Sequence, residues 1–316
     1  MSHLILYCVL VTGASLLGGA LPSLIQLTHS RMQMLVSLVA GLMLGVGLFH
    51  MLPHAAIEVD SLDVVMLWAM GGLLGTFFLI RAFHFHQHGS AEHDGASPAH
   101  NHESSGHGHP LDHDHGHAVG QHAAGQHNGA GGAEAGCHRF SWVGMGLGLG
   151  IHSLLDGAAL AASIRADAHI APNSAWLGIG IFAAVFLHKP LDAMSITALM
   201  AAGGWSQKRQ QIINLGYSLL CPIGAVVFWA GTSWLGGGNQ AVIGYALAFF
   251  AGVFLCISLS DLLPEVQFHS HDRLWLSACL LVGVTAAWCL RFVEGPHAHQ
   301  RPAAAPVVRV AAPAKD

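Results

Sequence analysis

The sequence predicts an all-α integral membrane protein with eight transmembrane helices. Three observations predict it. Of the 316 residues, 53% are hydrophobic and only 9% charged, where an ordinary soluble domain carries about 25% charged residues. Mean hydropathy is +0.52. The apolar residues also gather into eight runs, each close to the roughly 20 residues that cross a bilayer core as a helix.

The first run, 4–27, follows Met1-Ser2-His3. It has no basic leader and is long enough to span, so it reads as a first transmembrane helix and not as a cleaved signal. The second, 33–55, ends in His50-Met51-Leu52-Pro53-His54, and the third covers 62–84. Residues 85–138 then break the pattern. They are rich in His, Gly, Ala and Ser and nearly free of large apolar residues, so they cannot bury a core and should be disordered without metal. The remaining runs are 140–163, 175–201, 211–234, 240–263 and 273–293, and Gly236-Gly237-Gly238-Asn239 breaks the sixth from the seventh. From Pro296 onward the chain is rich in Pro and Ala. The expected organisation is three helices in 1–84, a His-rich loop in 85–138, five helices in 139–293 and a flexible tail in 294–316.

Lys and Arg in short loops set orientation. With the N-terminus outside, the inner loops and helix ends carry Arg31, Arg81, Arg139, Lys208, Arg209 and Arg273. The outer loops carry Arg165 and the acids Glu58, Asp60 and Asp63. The His-rich loop is then cytoplasmic, in a multi-pass protein of the cell membrane. Arg301, Arg309 and Lys315 in the tail run against this count, but tails are less constrained than short loops. A net charge of −5 without a basic stripe gives no support for a nucleic-acid partner. Five of the six cysteines lie in apolar runs and no C-x-x-C pair exists, so no disulfide framework is expected. Cys137, beside His138, could bind metal or be a small hydrophobe like the others.

Two motifs lie deep in two of these runs: His152-Ser153-Leu154-Leu155-Asp156 and His188-Lys189-Pro190-Leu191-Asp192. A histidine and an aspartate four apart share one helix face, about 6 Å from each other. His152 falls about 18 Å into the fourth span, near mid-bilayer, and His188 is similarly deep. An ionisable group there costs roughly 2.5–3.5 kcal/mol even on the lenient insertion scale. Two imidazoles and two carboxylates are a ligand set for a divalent transition metal. Zinc fits best, with Fe(II), Mn(II) and Cd(II) open. The competing reading is a pair of His–Asp hydrogen bonds that glue helices together, at about 0.6 kcal/mol each. Two copies at matched depth, in a chain with 25 histidines, favour the metal.

The neighbours bear on a path for the ion. Gly144, Gly148 and Gly157 leave room for an ion or for a packed helix. Pro190 either frees the Phe186 carbonyl toward the path or only kinks the helix. Lys189 puts a cation beside the ligands, which disfavours a second divalent ion; a structural Lys–Asp pair is the alternative. Twelve histidines between His86 and His127, with Asp112 and Asp114, read as a multivalent metal buffer or as a tract without a role. His50 and His54 flank Pro53, and Asp261 and Glu265 flank Pro264 in the seventh span. In oppositely directed helices these pairs fall near opposite faces and mark the candidate ends of the path. Inverted repeats around a midplane site are a common transporter plan.

The combination resembles the ZIP family of divalent-metal transporters. His152-Ser153-x-x-Asp156-Gly157 resembles that family's helix 4 signature and His188-Lys189-x-x-Asp192 its helix 5 signature. The layout of 4–293 is similar too. The resemblance implies a 3+2+3 inverted-repeat bundle with the fourth and fifth helices central, and His152, Asp156, His188 and Asp192 as transport ligands. It also implies uptake toward the cytoplasm, a homodimer, no enzymatic activity and no cofactor, the ion being cargo. Met43 is a further path candidate under the resemblance, with packing or lipid contact as the other readings. The chain has Ser153 where many relatives have Asn, Asp where they have Glu, and Lys189 where some have an acid. The sixth span carries no carboxylate, so a second metal is not expected. The competing functions are an exporter of the cation-diffusion type, an intramembrane zinc hydrolase and a membrane-anchored metal buffer. A hydrolase needs an open zinc position and a general base, and the chain has no H-E-x-x-H motif.

Overall fold

The computed structural model describes residues 1–24, 29–88, 131–170, 172, 174–234, 240–268 and 273–294. Side chains are described for these except 23–24, 29, 83–88, 131–142, 261–268, 273 and 294. Every regular element is helical: α1 (Ser2–Leu24), α2 (His29–Val46), a π-helical turn (Gly47–Met51), α3 (Leu52–Glu58), α4 (Leu62–His88), α5 (Gly131–Ile170), α6 (Ile179–Ala202), α7 (Gln207–Trp234), α8 (Gln240–Phe268) and α9 (Arg273–Glu294). No strand occurs among the described residues. The segment α2–π–α3 is one rod, so eight helices are long and apolar enough to cross a membrane. The all-helical, eight-span expectation holds.

Local chemistry explains several ends. Gly178 opens α6 with φ +72°, a left-handed conformation that suits glycine. At the other end of α6, Gly203 donates to the Leu199 carbonyl and Trp205 to the Met200 carbonyl, and Gly204 takes φ +72°. This is the left-handed stop that glycine gives a helix. Pro53 lacks the donor that a regular helix would use there. Just ahead of it the ladder widens, and the Leu52 N–H reaches the Gly47 carbonyl, five residues back.

Several helix ends differ from expectation by a few residues, most of all around α5. α5 continues past 163 to Ile170, so Arg165 is helical and not in an outer loop. Its guanidinium lies over the Trp229 ring and donates to the Trp229 carbonyl and to Ser233. The helices also enter the His-rich stretch, with α4 running to His88 and α5 starting at Gly131. The rest of that stretch, 89–130, and the tail from 295 lie outside the described residues.

Packing divides into two groups. α1, α5, α6 and α7 pack on one another, and the α2–π–α3 rod, α4, α8 and α9 form the other set. α5 against α8 and α2 against α6 join them. Small residues permit the closest approaches. A Cβ on Gly157 would strike the Cys221 carbonyl, and one on Gly224 would strike the Leu154 carbonyl, so α5 and α7 meet backbone to backbone. Gly157 is thus a packing glycine. Gly18 gives the same room to the Pro190 backbone between α1 and α6.

Candidate metal centre

The paired motifs meet. α5 and α6 bring His152, Asp156, His188 and Asp192 together so that one ligand atom from each lies within 4.8 Å of the others. The i,i+4 spacing aligns each pair on its own helix, and side-by-side helices close the set. His152 and His188 have ring centroids 5.3 Å apart. Nε2 of His188 lies 3.1 Å from Oδ2 of Asp156 and 3.9 Å from Oδ2 of Asp192. Nδ1 of His152 lies 3.5 Å from Oδ1 of Asp156, and its Nε2 lies 3.8 Å from Oδ2 of Asp192.

Hydrogen bonding prepares these atoms to bind an ion. Nδ1–H of His188 donates to the Ala184 carbonyl, 2.8 Å away. In the neutral ring this leaves Nε2 with a lone pair aimed at the Asp156 carboxylate. Two lone pairs 3.1 Å apart in a buried site need a proton or a metal ion between them. Nδ1 of His152 and Oδ1 of Asp156 are buried without a hydrogen-bond partner, as is Oγ of the neighbouring Ser153. Unpaired buried polar atoms of this kind cost about 1–3 kcal/mol each, and a cation within the cluster would satisfy the first two. The donor set therefore fits a divalent transition metal.

Lys189 is fully buried, with Nζ 2.8 Å from Oδ2 of Asp156 and 4.0 Å from Oδ2 of Asp192. It points into the site, between both carboxylates. It occupies Oδ2 of Asp156 and leaves Oδ1 open. Tyr217 of α7 was not legible from the sequence. Its hydroxyl donates to Oδ2 of Asp192 at 3.1 Å, and its ring centroid is 5.2 Å from Nζ of Lys189. Neither motif spacing nor composition marks it; only the packing of α7 on α6 does.

Access is uneven. His152 and Asp192 have side chains 11% and 20% exposed, whereas Asp156 and His188 are at 0% and 4%. The more exposed pair faces the start of α5 and the end of α6. On the opposite side Leu160, Ala184 and Val185 are fully buried.

The other candidates scatter. Met43 is buried in the core, 1% exposed, which rules out lipid contact and leaves packing or the path. His50 turns toward α9, where Nε2–H donates to the Ala287 carbonyl at 2.8 Å. His54 pairs with Asp167 of α5, Nδ1 to Oδ1, at 3.0 Å. Asp261 and Glu265 fall on α8, but their side chains, like that of Cys137, lie outside the described ones.

The "ZIP Zinc transporter" family model matches residues 2–290. Zinc transporter ZIP10 of Homo sapiens is 30% identical over 58% of the chain and 21% of its own length. Zinc transporter ZIP4 of Mus musculus is 30% identical over 45% of the chain and 20% of its own length. Zinc transporter ZIP9 of Macaca fascicularis is 29% identical over 40% of the chain and 53% of its own length. The chain thus spans about a fifth to a half of these relatives. With a model match over nearly its whole length, eight spans and a buried His/Asp cluster, the chain belongs to the ZIP zinc transporter family.

Proposed function

We propose that this protein moves a divalent metal ion, foremost zinc, across the membrane toward the cytoplasm through a single midplane site. His152, Asp156, His188 and Asp192 are the ligands. The observation that carries this reading is His188: its Nδ1–H is spent on a backbone carbonyl, and its other nitrogen faces a carboxylate where only a cation or proton fits. Family membership favours this over the cation-diffusion exporter and the hydrolase.

Charge counting supports one ion. Asp156 and Asp192 supply two negative charges and Lys189 one positive, a net of −1. One divalent ion brings the site to +1 and two would bring it to +3, against a steep Coulomb cost in a buried site. Lys189 therefore stands where a second cation would otherwise share the carboxylates. Iron, manganese and cadmium use overlapping donors, and zinc is favoured by the relatives' names.

Direction follows from the exposure. The ligands are reached from the end where α5 begins, beside the His-rich stretch, and sealed at the other end. The Lys and Arg distribution makes the reachable end cytoplasmic, so the structure corresponds to a state ready to release inward. The exchange of helix partners supports an inverted repeat: α2 packs on α9 as α8 packs on α4, and α5 packs on α7 as α6 packs on α1. The His-rich stretch serves as a metal buffer and the protein works as a homodimer in the cell membrane.

Uptake of zinc into proteoliposomes tests the core of this. His152→Ala and Asp192→Ala each remove a ligand, and each should abolish uptake while the protein still inserts. Near wild-type uptake by both variants would sink the proposal.

A further inference from the structure

Side chains at the sealed end reach from one helix group to the other. On α5, Asp167 is eleven residues beyond Asp156, about three turns along the same face at a rise of about 16 Å. His54 of α3, in the other group, has Nδ1 3.0 Å from Oδ1 of Asp167. Oδ2 of Asp167 accepts the Gly178 N–H at 2.6 Å, so the same carboxylate also holds the start of α6. Farther along α5, Nδ1–H of His169 donates to Oε1 of Glu58 at 3.1 Å. In that neutral tautomer Nε2 is an acceptor, and the Gln240 amide at the start of α8 donates to it. Gly244, one turn along α8, lets that helix close on Glu58, where an added Cβ would stand 2.9 Å from the Glu58 Cβ. α5 is thus pinned to α3 and α8 at this end. At the centre the polar contacts run differently. His188 and Lys189 face Asp156, and Tyr217 donates to Asp192, all within the group of α1, α5, α6 and α7. The other group meets His188 there through the edge of Phe254, with ring centroids 6.3 Å apart.

We propose that the His54–Asp167 contact and the Glu58–His169–Gln240 chain form a latch, which closes the central site to the outside and parts each time the site takes up an ion from there. The proposal rests on the transport reading above and on its orientation. A carrier whose site is reached from one end must close that end and open the other in every cycle, so contacts across the sealed end have to form and break. Leu160 and Ile164, buried between Asp156 and Asp167, make the seal, and the latch holds it shut. His54 is 2% exposed and Asp167 4%, and the Glu58 side chain is 2% exposed. A buried polar pair adds little over apolar packing of the same volume, and its best attested use is to fix a register or a switch. When such groups part, water replaces each lost partner, so the open state stays within reach. The His169 side chain is 44% exposed, so water reaches the latch from its rim.

Ser163, 3% exposed on α5 between Asp156 and Asp167, reports the opening. In proteoliposomes, the full-length chain with Ser163→Cys is treated from the proposed outer face with an impermeant methanethiosulfonate. The chain without that change controls for native cysteines. The closed latch should keep labelling slow, and adding His169→Ala, Gln240→Ala or Asp167→Asn should speed it at least fivefold. His169 and Gln240 are exposed, so their variants serve if the buried one folds poorly. The converse arm ties the latch shut. His169→Cys with Gln240→Cys, bridged by a short bifunctional methanethiosulfonate, should carry zinc at least tenfold more slowly and recover when a reductant cleaves the bridge. The two single variants, treated alike, are its controls. Unchanged labelling in the His169 and Gln240 variants, even with a lowered Tm, or full uptake by the bridged chain, overturns the latch. Faster labelling only from the inner face would support the latch and overturn the import orientation. A wild-type chain that carries no zinc would overturn the transport reading, while the labelling arm still decides the latch.

Discussion

At the residue scale, the four proposed ligands were legible because their chemistry is local. Two histidines and two aspartates at i,i+4 in apolar spans carry their own geometry and are costly without a purpose. The direction of Lys189 was not legible, since a midplane lysine serves a structural pair as well as a metal site. Packing answers it by placing Nζ on the Asp156 carboxylate and beside that of Asp192. Tyr217 and Asp167 were missed for a related reason: each gains meaning only from a helix distant in sequence. Two outcomes follow. Tyr217→Phe keeps the ring beside Lys189 but frees Asp192 from its hydroxyl. Loss of such a supporting bond typically costs about 10–100-fold in metal affinity, so KM for zinc uptake should rise about tenfold, and an unmoved KM would reduce Tyr217 to packing. Lys189→Ala removes the resident cation and should add bound zinc per protomer relative to wild type, or slow its release. Unchanged stoichiometry and turnover would show that the lysine only pairs with a structural acid.

At the element scale, hydropathy located all eight spans because a bilayer demands length and apolarity of each helix independently. It did not give their ends. The extension of α5 to Ile170 brings Asp167 to His54 and His169 to Glu58, and the polarity of Arg165 had marked that region as loop. The π turn was equally hidden, because a widened ladder next to Pro53 depends on what its freed groups meet. Close helix contact was only half legible: a glycine row can mean room for an ion or for a backbone, and at Gly157 it means backbone. Without a hydrophobic drive between helices in lipid, such contacts carry the association. Gly224→Val would push α7 off the Leu154 carbonyl, between His152 and Asp156 on α5. Overpacking of this kind costs about 1–3 kcal/mol. Melting in detergent should drop and zinc uptake with it. Gly231→Ala, on the same helix with nothing within 4 Å of a new Cβ, should leave both unchanged. Equal tolerance of the two would deny the α5–α7 contact its role.

At the scale of the whole molecule, the reachable end of the central site is the end where α5 begins, at Gly131. The His-rich stretch joins that end in sequence, and on the transport reading the cargo leaves there. Its histidines follow no fixed spacing. A tract of this kind binds metal weakly and many times over, which can hold ions near the exit and set the free concentration that the site sees. On the transport reading, the desolvated passage belongs to the buried His/Asp cluster of α5 and α6. Deleting 90–130 should then shift the apparent zinc affinity or its response to internal zinc by a few-fold, with measurable uptake remaining. Acid sharpens the comparison. Ligand histidines must be neutral, so binding releases protons and acid opposes it. Uptake should therefore fall with acid in the intact and the shortened chain alike, because the central histidines are common to both. A shortened chain that folds normally yet carries no zinc at any concentration would place the loop in the path itself. A shortened chain that loses its acid sensitivity would move the controlling protons from the centre to the loop.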